Sequence, residues 1–303
     1  MAGKKKEVAS AAAPARTQHQ ASSSSLPPGK GTQRIETRLI GIYGPPKARK
    51  TGSCAYLPMG RTKWLVSDSN CAATLYALDR MPAAEDFHEV STLDESNEFL
   101  EKAIAVARDE GPEALGIDYL VNDSLTQTFE WAQRETAVAT GQEFLGQKKG
   151  WDSNGYQEFN AKFLRYLDLL ATLSRYVTVI CIAHSKELFE KQKKGEFGGI
   201  NMGGAMALAF GRKCNWLLLK TFEVLGDDGT ITEDDMTKKV IEPGDVTVFE
   251  RSCLLTRSTL DGYTAVANLR PQNRERSAWP GDIRALLKAE GIFRGGEYED
   301  AES

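Results

Sequence analysis

A chain of 303 residues, 41% hydrophobic and 26% charged, is long enough to bury one large α/β core with tails to spare. Its formal charge of −4 gives no global basic field, so any contact with nucleic acid has to come from local basic segments. The five cysteines, Cys54, Cys71, Cys181, Cys214 and Cys253, include no C-x-x-C pair, which argues against a zinc cluster and a disulfide framework. No apolar run approaches the ~18 residues of a membrane span, and the first residues lack a signal peptide's apolar stretch, so a soluble protein of a reducing cytoplasm is expected.

Residues 1–33 are rich in Lys, Ala, Ser, Pro and Gln, with KKK at Lys4 to Lys6 and SSSS at Ser22 to Ser25. With so little to bury, they are expected to form a disordered basic arm. From residue 34 to 280 short apolar strands alternate with helical segments, the pattern of a parallel sheet covered by helices. Strands are predicted at RLIGIY (Arg38 to Tyr43), TKWLVS (Thr62 to Ser67), DYLVND (Asp118 to Asp123) and YVTVICIAH (Tyr176 to His184). Helices are predicted for the segment after Thr51, for Ser96 to Glu110, where Phe99, Leu100, Ala103, Ile104 and Ala107 recur at helical spacing, and for Tyr156 to Arg175. The last third predicts strands at Asn215 to Phe222, Asp245 to Ser258 and Tyr263 to Pro271, the final two joined as an antiparallel hairpin through Leu260, Asp261 and Gly262. Residues 281–303 read as a short helix near Asp282 to Glu290 and an acidic tail. Trp64, Trp131, Trp216 and Trp279 sit in apolar contexts and are read as core.

The chemistry centres on GPPKARKTGS, Gly44 to Ser53, one residue away from the phosphate-binding pattern G-x-x-x-x-G-K-[ST]. Gly44, Lys50 and Thr51 meet it, and Arg49 stands where the second glycine belongs. A strand running through such a loop into a helix aims backbone N–H groups and the helix dipole at one spot, which suits phosphate. Lys50 would reach the β and γ phosphates and the Thr51 hydroxyl would ligate Mg²⁺. Asp123 ends an apolar strand, followed by Ser124 and Thr126, where an acid that holds Mg²⁺ through water is needed; capping the next helix is its alternative role. His184 ends another buried strand, and ligands of open α/β sheets bind at strand C-termini.

On GPPKARKT, IDYLVNDSLT, VICIAHSKE and VANLRPQNRERSAWP, the chain from about Arg38 to Pro280 resembles the RecA-like ATPases of bacteriophages, the Sak-type single-strand annealing proteins and related phage AAA-family proteins. The resemblance implies a RecA-like P-loop core: a mainly parallel sheet flanked by helices with a C-terminal antiparallel hairpin. It implies ATP and Mg²⁺ as ligands, held by Gly44, Lys47, Arg49, Lys50, Thr51 and Gly52, with Asp123 as the acid associated with Mg²⁺. His184 is implied as the group that senses the γ-phosphate. Single-stranded DNA, further copies of the chain in a ring or filament, and phage or host replication and recombination proteins are the implied partners, in the cytoplasm of an infected bacterium and away from membranes. Recombination, annealing or replication is the implied setting.

Two departures bear on turnover. Arg49 replaces a glycine that lets the backbone hug phosphates, at a cost of about 1–2 kcal/mol if that position requires positive φ. Asn70 falls where relatives carry a glutamate that orients the attacking water, and asparagine takes no proton, so Asp68 is the nearby carboxylate left to act as base. Slow hydrolysis is expected, and a pseudo-ATPase that binds without turnover, or acts as an interaction module, is the rival; a nucleotide kinase ranks behind both, for want of an arginine-bearing lid. Two Gly- and Lys-rich segments after core strands are candidates for single-strand contact: Lys148 and Lys149 beside Trp151, and Lys191, Lys193 and Lys194 beside Phe197. Arg270, Arg274 and Arg276 form a third basic cluster, from which one arginine could reach a neighbour's nucleotide.

Overall fold

β1 (Leu39–Gly44) lies inside the sheet because LIGIYG carries no charge and can be buried on both faces of its pleat, as all six residues are. Leu39 and Tyr43 enter one hydrophobic core, Ile40 and Ile42 the other. The computed structural model of the chain describes residues 37–45, 48–147, 155–185, 199–225, 231–232, 249–256, 266–267, 269–274 and 278–294.

After β1 the elements run β2 (Thr62–Val66), α1 (Asn70–Ala77), β3 (Phe87–Glu89), α2 (Leu93–Asp109), β4 (Tyr119–Asp123), α3 (Leu125–Ala139), α4 (Tyr156–Leu173) and β5 (Thr178–His184). They continue with α5 (Gly204–Lys213), β6 (Trp216–Leu225), β7 (Ile231–Thr232), β8 (Phe249–Leu255), β9 (Val266–Ala267), β10 (Ala278–Pro280) and α6 (Ile283–Ala289). The strand order is β10-β8-β6-β1-β5-β4-β2-β3, with β7 and β9 also paired to β6. From β6 to β3 every pairing is parallel. The fold is therefore α/β, with a mostly parallel sheet flanked by helices and an antiparallel C-terminal portion.

α2, α3, α4 and α5 cover one face, where Phe129, Phe159, Phe163 and Tyr166 form an aromatic cluster with Phe129 edge-on to Phe159 and Phe163. The other face is covered by α1, α6 and the buried Cys54, Ala55 and Leu57. Trp64, Trp216 and Trp279 are buried there, and Trp131 packs partly buried against the first core. Among the described residues no helix is long and apolar enough to cross a membrane.

One expectation is corrected. The segment after Thr51 forms a three-residue 3-10 turn, Thr51–Ser53, and not an α-helix. Gly52 and Ser53 are weak helix formers, and Pro58 closes the segment before a second turn of helix can follow. The antiparallel pairing of the last third is made by β8 on β6 (Leu219 opposite Leu255 through Leu225 opposite Phe249) and by β10 on β8. β9 also pairs antiparallel with the start of β6, Trp216 opposite Ala267, and the turn expected at Leu260, Asp261 and Gly262 lies outside the described residues.

Candidate functional site

β1, β2, β4 and β5 all end at the same edge of the sheet, and their last residues assemble the polar cluster. Gly44 lies in register beside His184. A Cβ on Gly44 would stand 2.5 Å from the carbonyl oxygen of Lys220 on β6, so this strand end accepts only glycine without a backbone shift. The loop then turns, and Arg49 adopts φ +56°, the left-handed conformation that a glycine would take at no steric cost.

That turn carries Lys50 inward. Its side chain is buried, with Nζ donating to the carbonyl oxygens of Gly44 (3.0 Å) and Pro45 (2.8 Å) and lying 3.3 Å from His184 Nδ1. Burial lowers its pKa to about 8, against the pull of Asp123 and Asp68 in the opposite direction.

Thr51 Oγ1 donates a 2.7 Å hydrogen bond to Asp123 Oδ2. Asp123 is 2% exposed, and burial raises its pKa while the Thr51 bond opposes that rise. It does not cap α3: Ser124 does so, accepting from the Gln127 N–H at 3.2 Å, which leaves the Asp123 carboxylate to Thr51 and the Cys71 thiol. A threonine hydroxyl and a carboxylate are hard oxygen donors of the kind that suit Mg²⁺, which takes few protein ligands and completes its shell with phosphate oxygens and water. Among the described residues no group of three His, Cys, Asp or Glu side chains that could hold a metal ion is found.

β2 supplies the second acid. The Asp123 carbonyl oxygen accepts from the N–H groups of Ser67 (2.7 Å) and Asp68 (3.1 Å), and the Ser67 hydroxyl donates to the Ser124 carbonyl while accepting its N–H. Asp68 Oδ2 stands 3.6 Å from His184 Nε2, an electrostatic contact longer than a hydrogen bond, while Oδ1 accepts from the Asn70 backbone N–H (2.9 Å) and side chain (3.0 Å). His184 and the Asn70 donors hold the Asp68 pKa down to about 2 against partial burial. The His184 backbone N–H is fixed by Thr126 Oγ1 at 2.9 Å.

Of the residues expected in the site, Lys50, Thr51, Asp123, His184 and Asp68 come together. Gly44 and Arg49 shape the loop, while Gly52 borders it without needing its lack of a side chain, since a Cβ there would meet nothing closer than 3.6 Å. Lys47 and the lysines Lys148, Lys149, Lys191, Lys193 and Lys194 lie outside the described residues. Lys220, 1% exposed, is a site residue that sequence reasoning passed over; a single charge inside the apolar run NWLLLKTF was the available signal.

Beside the loop lies a cavity of about 860 Å³ bordered by Arg49, Gly52, Tyr56, α1, Lys220 and the Pro280–Asp282 turn. Compared with protein-family models and with curated proteins, the sequence matches none.

Proposed function

We propose that this chain is a RecA-like P-loop protein that binds ATP with Mg²⁺ at the loop Gly44 to Thr51, turns it over slowly, and acts on single-stranded DNA. The observation that carries it is the convergence of Lys50, Thr51 and Asp123. A buried lysine and a hydroxyl from one loop meet a carboxylate from β4, so cation, metal-ligating oxygen and acid stand at one strand edge. Lys50 and Thr51 bind the phosphates and the metal, Asp123 holds the metal, and His184 responds to the terminal phosphate through its contact with Lys50. The role on DNA rests on the two Lys- and Gly-rich segments and on the resemblance of the sequence.

Slow turnover follows from Asp68. A carboxylate held near pKa 2 and already engaged by Asn70 and His184 is a weak proton acceptor. The same observation favours, as a second possibility, a protein that binds nucleotide without hydrolysing it.

The deciding experiment measures ATP binding and turnover by the full chain with and without single-stranded DNA, beside Lys50→Ala. Binding lost in the variant, with slow turnover stimulated by DNA, is the expected result. Binding without turnover selects the pseudo-ATPase, and wild-type protein that binds no nucleotide at millimolar concentration overturns the assignment. Salt-sensitive binding of single strands, weakened by replacing Lys193 and Lys194, is the expected signature of the DNA role.

A further inference from the structure

Lys220 is fully buried on a strand that faces β1 on one side and β8 on the other, yet it is poorly satisfied. Among the described residues its ammonium has one hydrogen-bond acceptor, the Gly281 carbonyl oxygen at 2.8 Å, for three N–H groups. No carboxylate stands within ion-pair distance of it among those residues: Asp282, the nearby acid, is paired with Arg284 at 2.8 Å. Arg49 adds a second positive charge to the surroundings of Lys220. A buried cation without a counter-charge is costly, and the cost is removed when an anion enters.

The cavity that Lys220 lines has the size of a small-molecule site and shares two walls with the phosphate loop. Arg49 and Gly52 flank Lys50 and Thr51, and Asn70 is hydrogen-bonded to Asp68. Its other walls include Ala73 and Ala77 of α1, with Leu78 after them, the Tyr56 ring and Pro280. The cavity lies beside Gly52, where the chain after Thr51 makes only a 3-10 turn. Lys50 and Lys220 lie on opposite sides of Gly44, the first turned toward β5 and the second on β6.

We infer that this cavity receives the nucleoside and α-phosphate end of the nucleotide, with Lys220 as the counter-charge to the α-phosphate and the α1 face of Ala73 and Ala77 as the surface against the base. The inference rests on the proposed nucleotide site and extends it: a ligand whose outer phosphates sit at Lys50, Thr51 and Asp123 is blocked by His184 and Asp68 on the β5 and β2 side and runs toward β6.

The test compares ATP with pyrophosphate, which lacks the nucleoside end, by calorimetric titration of the full chain with Mg²⁺. The wild type binds ATP tighter than pyrophosphate. Lys220→Met, which keeps the apolar stem, lowers ATP affinity at least tenfold and leaves pyrophosphate within twofold. Ala73→Phe, at an exposed helix position that tolerates bulk, fills the cavity and produces the same split, so the outcome does not hang on how well the Lys220 variant folds. ATP affinity unchanged in Ala73→Phe, or pyrophosphate weakened as much as ATP in Lys220→Met, overturns the inference while leaving the loop assignment intact. So does a wild type that binds pyrophosphate as tightly as ATP. A wild type that binds neither overturns both.

Discussion

The Lys50 ammonium and His184 Nδ1 stand 3.3 Å apart, and this contact completes the accounting for the lysine's three protons, the other two going to Gly44 and Pro45. An ammonium has only protons to give, so Nδ1 is the acceptor and Nε2 carries the proton that faces Asp68. A phosphate that draws Lys50 away leaves Nδ1 without its donor. In His184→Ala that competing bond is absent, so ADP is expected to bind about 2–10-fold tighter, the worth of one net hydrogen bond. ATP gains more, because its terminal phosphate is the group proposed to draw Lys50 away from the imidazole. Calorimetric affinities for both nucleotides check this, and an unchanged ADP to ATP ratio contradicts the role of His184.

Affinity for ATP should fall in alkali. Burial lowers both Lys50 and Lys220 to about 8, and a bound anion favours the protonated forms. Below about pH 7 both are charged and affinity is flat. Above pH 8 each must take up a proton on binding, and affinity drops by up to about tenfold per pH unit for each lysine. Titrations between pH 6.5 and 9.5 should show a shallower fall in Lys220→Met. Stability runs the other way: these lysines hold protons less tightly folded than unfolded, so from about 8 toward the ordinary 10.5 their contribution to stability rises with pH. The difference in urea midpoint between wild type and Lys220→Met over that range reads out the sign.

Arg49→Gly relieves a left-handed residue worth about 1–2 kcal/mol and returns roughly half of that as extra freedom of the unfolded chain, so the variant is expected to be neutral to slightly more stable. Arg49→Ala keeps the strain and loses the charge. If nucleotide affinity rises in the glycine variant and falls in the alanine variant, both the backbone and the guanidinium act at the loop. The measurements are thermal unfolding and ATP titration of the two variants.

Asp123→Asn retains an acceptor for the Thr51 hydroxyl while removing a buried charge whose pKa is raised by its surroundings. The fold should be at least as stable near neutral pH, and ATP affinity should become insensitive to Mg²⁺. Stripping the metal with a chelator weakens ATP binding by the wild type and leaves the variant unaffected. Equal sensitivity in the two proteins removes Asp123 from the metal site.

Gly44→Ala drives a methyl group toward the Lys220 backbone at 2.5 Å and is expected to cost about 1–3 kcal/mol. Chemical denaturation measures it. Because the clash pushes β1 away from β6, nucleotide affinity should fall with stability, in contrast to Asp123→Asn.

The strands that frame the site are readable from sequence because LIGIY, TVICIA and YLV are buried on both faces and therefore appear as unbroken apolar runs. Lys50, Thr51 and Asp123 are readable because they end or follow such runs. α3 leaves only a weak signal: LTQTFEWAQRETAVA spends three of its positions on threonine, which favours helices weakly, and it is held by Phe129 packed on Phe159 and Phe163 of α4. α1 is short, and its outer face turns to the cavity with alanines that carry no pattern. Lys220 reads as one polar residue in a strand, and only its place between β1 and β8 buries it. Asn70 is read as a vacant glutamate position, whereas its amide is spent on Asp68, a local contact two residues back along the chain.

The Asp123 carbonyl, which receives the N–H groups of both Ser67 and Asp68, ties two strand ends into a single knot. The two acids hang from that knot through the hydrogen bond between the Asp68 N–H and the Asp123 carbonyl oxygen, so the main chain fixes where their side chains start. The main chain thus couples the ends of β2 and β4 directly, and a substitution at Ser67, whose hydroxyl bonds both the carbonyl and the N–H of Ser124, would loosen that coupling more than one at the exposed Asn70.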